Sequence, residues 1–238
     1  MLAYAKSDIG MVRKTNEDNY VFLPPRLFAV ADGMGGHVAG EIASKLAADT
    51  IREYVAAHNQ VDCSETVIKE AIQQANWTIF QIAQSKPEYT GMGTTVSAVI
   101  VDGPDIFWAH VGDSRIYLLH DRQLKQLTDD HSLVGDLVRN GNITPEEALT
   151  HPHRNILTRA VGTNEDIQID TGTALWEPGD MLLLCTDGLT NMVSDGDICQ
   201  LLLRAGEGRE VLDQLVREAN AAGGLDNITG ILLQNGES

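Results

Sequence analysis

Short apolar runs and longer helical stripes alternate along this chain without settling into a regular strand-helix-strand repeat. Runs rich in Val, Ile and Leu predict strands at Leu27–Ala31, Thr94–Val101, Ile106–Val111, Arg115–Leu119, Met181–Cys185 and Ile228–Leu233. Earlier strands are expected at Ala3–Asp8 and Asn19–Leu23. Between them, Glu41–Ala57 carries Ile42, Leu46, Ile51, Tyr54 and Val55 at helical spacing. Ser64–Gln84 does the same with Val67, Ile68, Ala71, Ile72, Ala75, Ile79 and Ile82, and Trp77 and Phe80 read as packing residues. A third helix is predicted over Glu210–Ala222, stopped by Gly223-Gly224, and a shorter one over Ser194–Leu203 with Ser194 and Asp197 at its start. Helices beside antiparallel-looking strands argue for a layered α+β fold. No repeat or linker divides the chain, so residues 1–238 read as one domain.

The character changes between Asp129 and Gly162. A short helix is signalled at His131–Asn140, closing on Gly141, and another at Thr144-Pro145-Glu146-Glu147. The second has a capping Thr, Pro at the first helical position and Glu three residues after the cap. An irregular basic stretch, His151-Pro152-His153-Arg154-Asn155, follows. An insertion of this kind between strands, about 129–162, is expected to act as a mobile flap over a site.

Four Asp-centred turns each sit at an end of a predicted strand. Leu27–Ala31 leads into Asp32-Gly33-Met34-Gly35-Gly36-His37, and Ile106–Val111 into Gly112-Asp113-Ser114-Arg115. Met181–Thr186 leads into Asp187-Gly188-Leu189, while Asp226-Asn227-Ile228-Thr229 opens the last strand. Any one Asp-Gly is ordinarily only a turn. Four in register with strands can converge at one sheet rim, where hard oxygen ligands suit Mg²⁺ or Mn²⁺ rather than Zn²⁺.

Six ordered motifs carry a resemblance: Gly10–Asp18 with its Arg13-x-x-Asn16-Glu17-Asp18 core, Asp32–His37, Gly91-Met92-Gly93-Thr94-Thr95, Gly112–Arg115, Thr186–Leu189 and Asp226–Thr229. From about Lys6 to Leu233 the chain resembles the PPM family of metal-dependent protein Ser/Thr phosphatases, the type 2C phosphatases, in compact bacterial form. The resemblance implies a four-layer αββα sandwich, two antiparallel sheets flanked by helices, with a flap that contributes to substrate choice. It implies that Asp32 bridges two metals, that the Gly33 carbonyl, Asp187 and Asp226 bind the first, and that Glu17 reaches the second. Asp18 would hold coordinated water. Asp113 matches the ligand of a third, weaker metal, sharing Asp187. Arg13 matches the residue that grips the substrate phosphate, and its planar fork suits two oxygens at once; read alone it would be a surface arginine. His153 and Arg154 fall in the flap.

The proton donor stays open. Eukaryotic members place a His directly after the Asp-Gly, where this chain has Met34. His37 is one candidate, with an ordinary pKa near 6.5 suited to the task; a structural role for His37 beside a proton-supplying metal-bound water is the other. His110 reads as a satisfied core residue, and His131, His151 and His153 as flap residues without a catalytic part. The chain lacks both the Cys-x5-Arg loop of cysteine phosphatases and the Gly-x-Ser-x-Gly elbow. The expected reaction is hydrolysis of phosphoserine and phosphothreonine by metal-activated water. The substrates would be phosphorylated proteins, targets of a Ser/Thr kinase. A pseudophosphatase that binds phosphoproteins, or a dedicated partner-switching phosphatase, are the alternatives.

Composition narrows the partners. The 238 residues carry a formal net charge of −17 and a sequence pI of about 4.6. Such a chain repels nucleic acid and anionic lipid, which need clustered Lys and Arg. It also needs bound cations and placed arginines before it can attract a phosphate. No stretch approaches the roughly 20 apolar residues of a membrane span, and Met1–Asp8 lacks the layout of a secretion signal. Cys63, Cys185 and Cys199 show no paired spacing, and Cys185 reads as a buried free thiol. A cytoplasmic monomer is expected.

Overall fold

The structure is a computed structural model that describes residues 1–35, 39–58, 64–204 and 207–236. Eleven strands are described: β1 (Leu2–Asp8), β2 (Asp18–Leu23), β3 (Leu27–Met34), β4 (Gly93–Thr94), β5 (Val96–Asp102), β6 (Asp105–Val111), β7 (Arg115–His120), β8 (Gln123–Gln126), β9 (Asp170–Leu175), β10 (Met181–Cys185) and β11 (Ile228–Gln234). The α-helices are α1 (Ala39–Ala57), α2 (Ser64–Ser85), α3 (Leu133–Arg139), α4 (Pro145–Leu149), α5 (Asp187–Thr190), α6 (Asp195–Leu202) and α7 (Gly208–Ala221). One sheet runs β1-β11-β10-β7-β8 and the other β2-β3-β5-β6-β9, with β4 beside β3. Every pairing is antiparallel.

Alternating side chains build the layers, because successive residues of a strand face opposite sides of its sheet. Ile116 and Leu118, Leu182 and Leu184, and Ile231 and Leu233 meet Phe28, Val30 and Val99 in a core between the sheets. Their neighbours Tyr117 and Leu119, Leu183 and Cys185, and Leu232 face Leu212, Leu215 and Ile198 under α6 and α7. On the other side, Ala29, Ala31, Ala98 and Ala109 lie under Ala43, Ala47, Ile51 and Ile72 of α1 and α2. Small residues on both surfaces let these helices sit close to the sheet. With both faces buried, the central strands read as continuous apolar runs rather than alternating ones. The result is the expected αββα sandwich.

Several details depart from the sequence reading. β8 and β9 were not anticipated: Gln123–Gln126 and Asp170–Leu175 are edge strands with little apolar content. Trp77 is 45% exposed, so it is not a packing residue. Asp187 does not sit in a plain turn but opens the short helix α5. His131, read only as a flap residue, is fully buried. The capping predictions hold, with Ser194 accepting from the Asp197 amide and a complete Thr144–Glu147 capping box. No helix among the described residues is long and apolar enough to cross a membrane.

Candidate active site

The site forms where the two sheets share one rim. Asp18 begins β2 and lies directly opposite Asp32 of β3. From the other sheet, Thr186 at the end of β10 donates its hydroxyl to Asp18 Oδ2 at 2.9 Å, and the Thr229 amide of β11 donates to Thr186 Oγ1 at 2.9 Å. This polar stitch crosses the sandwich and brings the strand ends together. Asp187 and Asp226 arrive beside Thr186 and Thr229, and Asp113 follows β6.

The backbone around Asp32 is pinned on several sides. Its amide donates to Thr95 Oγ1 at 3.0 Å, and its carbonyl accepts from the Thr95 amide at 2.9 Å and from the Thr94 hydroxyl at 2.8 Å. The Gly33 amide donates to the Glu17 carbonyl at 3.1 Å. A Cβ on Gly33 would lie 2.1 Å from the Gly40 carbonyl oxygen, and one on Gly40 would lie 2.1 Å from Glu17 Oε2. Those two glycines let the start of α1 press against β3 and the Glu17 carboxylate.

Asn227 holds the N-terminal loop. Its side-chain amide donates to the Ile9 and Thr15 carbonyls at 3.0 and 2.9 Å, and its Oδ1 accepts from the Glu17 amide at 2.8 Å. The same loop delivers Arg13, whose Nη2 donates to Asp226 Oδ2 at 2.6 Å. Asp226 Oδ1 accepts from the Asn227 amide at 2.8 Å, and Asn191 donates to Asp187 Oδ2 at 2.9 Å.

Crowded carboxylates raise one another's pKa. Asp32 is pushed well above the ordinary carboxylate range, first by burial and then by Asp18, Asp187, Asp113 and Asp226. Burial raises Asp113 well above its ordinary value, with Asp187 and Asp130 adding to it. Asp18, with its side chain held by Thr229 and Thr186, is pushed up to about 7, again chiefly by burial. Asp187 rises through burial and Asp226, partly offset by its hydrogen bonds to Asp32 and Asn191. Such a cluster is costly unless positive charge enters it.

The donor set fits a hard divalent cation. Asp18 Oδ1 and Asp187 Oδ1 are buried without a hydrogen-bond partner, although buried carboxylate oxygens are ordinarily satisfied. Asp32, Asp113, Asp187 and Asp226 each keep some accessible surface toward solvent. Among the described residues no three acidic, His or Cys side chains enclose a point by themselves. An ion here would keep several waters, as Mg²⁺ and Mn²⁺ do.

Behind Asp113 lies a buried histidine pair that the sequence reading did not connect to it. The Gly112 amide donates to His131 Nδ1 at 3.1 Å, which leaves the proton on Nε2, donated to Asp170 Oδ2 at 3.0 Å. Arg159 donates to the other oxygen of Asp170 at 2.7 Å. His110 packs 4.6 Å from the His131 ring and bonds the Asp129 carbonyl and Ser97. Burial, then His131, pushes His110 down to about 3, and burial lowers His131 as well. Arg115 turns away from the cleft to a forked pair with Asp130, at 2.9 and 2.7 Å.

Asp18, Asp32, Gly33, Asp113, Asp187, Asp226, Glu17 and Arg13 therefore gather at one rim. His153 and Arg154 lie apart on the exposed segment after α4, where their backbone amides bond to His151. His37 lies outside the described residues, as does Cys63. The sequence reading missed Asn227, Asn191 and the structural use of Thr95, although Asn227 follows a singled-out Asp and Thr95 ends a quoted motif.

A cleft of clustered aspartates between two antiparallel sheets, with an arginine at its lip, defines a class of metal-using phosphate enzymes. A family profile described as Protein phosphatase 2C matches residues 16–227. The chain is 40% identical over 242 residues to "Serine/threonine phosphatase stp" of Listeria monocytogenes, covering 98% of this chain and 96% of that one. It is 41% identical over 238 residues to "Protein phosphatase PhpP" of Streptococcus pneumoniae, covering 97% and 96%. The solved catalytic domain of the serine/threonine phosphatase PstP, in complex with two manganese ions, superimposes with a TM-score of 0.87 at 36% identity, covering 97% and 96%. The chain belongs to the protein phosphatase 2C (PPM) family. It is a protein serine/threonine phosphatase, a hydrolase acting on phosphoproteins in a metal-dependent family, and the reading as a mere binding module is set aside.

Proposed function

We propose that the rim of carboxylates described above is the catalytic centre, with Mg²⁺ or Mn²⁺ held by Asp32, the Gly33 carbonyl, Asp187 and Asp226, and by Glu17 on the α1 side. The observation that carries this reading is the pair of buried, unpartnered oxygens of Asp18 and Asp187 among acids that raise one another's pKa. Bound divalent cations would supply activation of an attacking water and neutralisation of phosphoryl charge. No protein nucleophile is then needed, and the residues act by position. Asp18, fixed by Thr186, orients water through its free oxygen. Arg13 releases Asp226 and turns its fork to two phosphate oxygens. Asp113, held from behind through Gly112 and His131, serves a third and weaker cation site together with Asp187. His37 remains the candidate donor to the leaving oxygen, and its test is the acid limb of the pH-rate profile in His37→Gln.

Residues 1–238 act as one domain, and residues 129–162 form a flap that selects among protein substrates through His153 and Arg154. The substrates are targets of a Ser/Thr kinase, and the enzyme works as a cytoplasmic monomer. One assay tests the centre: phosphate release from phosphoserine, phosphothreonine and phosphotyrosine peptides with Mn²⁺, Mg²⁺, Ca²⁺ or EDTA. Turnover of the first two peptides with Mn²⁺ or Mg²⁺ is expected. Undiminished turnover in EDTA after exhaustive dialysis would overturn the reading.

A further inference from the structure

Beside the proposed phosphate-gripping arginine the surface is unexpectedly apolar. Met11 and Val12, directly before Arg13, are 70% and 60% exposed, and Leu225, directly before Asp226, is 49% exposed. The two segments run side by side, tied by the Met11 amide to the Gly224 carbonyl at 2.8 Å and by Arg13 to Asp226. The paired glycines set the surface between them. A Cβ on Gly224 would lie 2.8 Å from Met11 Cγ, and one on Gly223 would lie 3.7 Å from Leu225 Cδ2 and 4.0 Å from Met192 Sδ. With no side chain on either glycine, Met11, Leu225 and Met192 lie close around this turn.

Beyond Met192 the apolar character gives way to a cleft of about 410 Å³ between α6 and α7, where Leu201 and Ala222 stand among Asp197, Gln200, Arg204 and Glu218. Exposed apolar side chains scattered singly need no explanation, but a contiguous set at the lip of a catalytic cleft marks a binding surface. Methionine suits such a surface because its flexible thioether adapts to different partners.

We infer that Met11, Val12, Leu225 and Met192 form a docking strip for the phosphoprotein segment next to the phosphorylated residue, and that the strip favours apolar flanking side chains. Its continuity with Arg13 names the occupant: the chain whose phosphate Arg13 holds must pass over one side of this lip. The inference rests on the phosphate-binding role proposed for Arg13. It adds a second selector, on the opposite chemical principle from the basic stretch at His153 and Arg154.

The test uses two phosphothreonine peptides that differ only in carrying Leu or Ser at the two positions on each side of the phosphothreonine. Wild-type enzyme should prefer the Leu peptide by roughly tenfold in kcat/KM, the order expected when an apolar side chain leaves water, with the difference mainly in KM. Met11→Ser and, separately, Leu225→Ser should bring the ratio toward one, and both positions are exposed enough for the fold to persist. Arg13→Ala should instead lower both peptides by a similar factor and keep the ratio. Equal kcat/KM for the two peptides in the wild type, or a preference that survives in both serine variants, would overturn the docking strip. An unchanged kcat/KM for both peptides in Arg13→Ala would overturn the phosphate-site reading instead.

Discussion

The carboxylate rim and the segment over residues 129–162 are built on opposite plans. At the rim the site residues are held by neighbouring side chains: the backbone of Asp32 by Thr94 and Thr95, the amide of Glu17 by Asn227, and the carboxylate of Asp18 by Thr186. Glycines 33 and 40 allow approaches that any side chain would block. The outer half of the 129–162 segment is instead exposed and locally bonded, with α4 capped by its own Thr144 and Glu147. Its base is anchored, through His131 to Gly112 and through a bridge between Val161 and Thr94. Chemistry demands placement within tenths of an ångström, whereas substrate choice tolerates a surface that adapts. Under the roles proposed above, the contrast divides the molecule into a fixed part and an adaptable part.

The sharpest way to break this division is at the rim. Asp187→Asn or Asp226→Asn should lower kcat by roughly three decades or more, the scale of losing several kcal/mol of transition-state stabilisation, while circular dichroism stays native. Asp113→Asn should cut kcat less, yet leave the stronger Mn²⁺ binding visible by calorimetry. Near wild-type turnover in Asp187→Asn would show that the rim is not where the barrier is lowered.

Arg13→Ala comes next. Loss of a charge-assisted fork is worth roughly 1.5–3 kcal/mol, about one to two decades, and should appear mainly in KM because phosphate is held in both ground and transition states. Unchanged KM and kcat together would return Arg13 to the surface.

The anchored base is tested by acid. His110 titrates near 3 in the fold against about 6.5 unfolded, so the unfolded chain binds more protons between those values. Its contribution to stability is therefore full above pH 6.5 and falls as pH drops, by up to about 1.36 kcal/mol per unit. The groups facing it are His131, Asp130, Asp170 and the Asp129 carbonyl. His110→Gln should be less stable at pH 7 but flatter below 6.5, with the difference from wild type removing the opposite trend of the rim acids. Parallel stability curves for the two proteins would show that His110 is not the acid-sensitive group.

The smallest effect belongs to the outer flap. His153→Ala and Arg154→Ala should reorder protein substrates by only a few-fold, the range of exposed charge contacts, while sparing p-nitrophenyl phosphate. Equal losses on both substrate types would merge the flap with the fixed part.

Much of this architecture was legible because its signals are local. Strands buried on both faces write continuous apolar runs, and Ser194 or Thr144 announces a helix start by spacing alone. The acidic positions could be gathered only through the family pattern, since nothing in the spacing between Asp32 and Asp187 fixes a shared rim. β9 escaped because an edge strand such as Asp170–Leu175 has one bonded neighbour and buries little. The role of His131 escaped for a different reason. Its partners Gly112 and Asp170 are 19 and 39 residues away, so only the folded chain makes the imidazole a support for the Asp113 turn.

The bond from Arg13 to Asp226 has a consequence for the order of events. Both groups are well exposed, 48% and 30% by side chain, so the pair is held weakly, by about 1 kcal/mol or less. Asp226 occupies the guanidinium as a stand-in anion. With the roles proposed for these two residues, a cation that claims Asp226 frees Arg13 for phosphate, and a phosphate that claims Arg13 bares Asp226 for the cation. Each ligand then raises the other's affinity by the same factor. Under those roles loading would be cooperative without any movement of the fold, because one side-chain contact is shared by both binding groups.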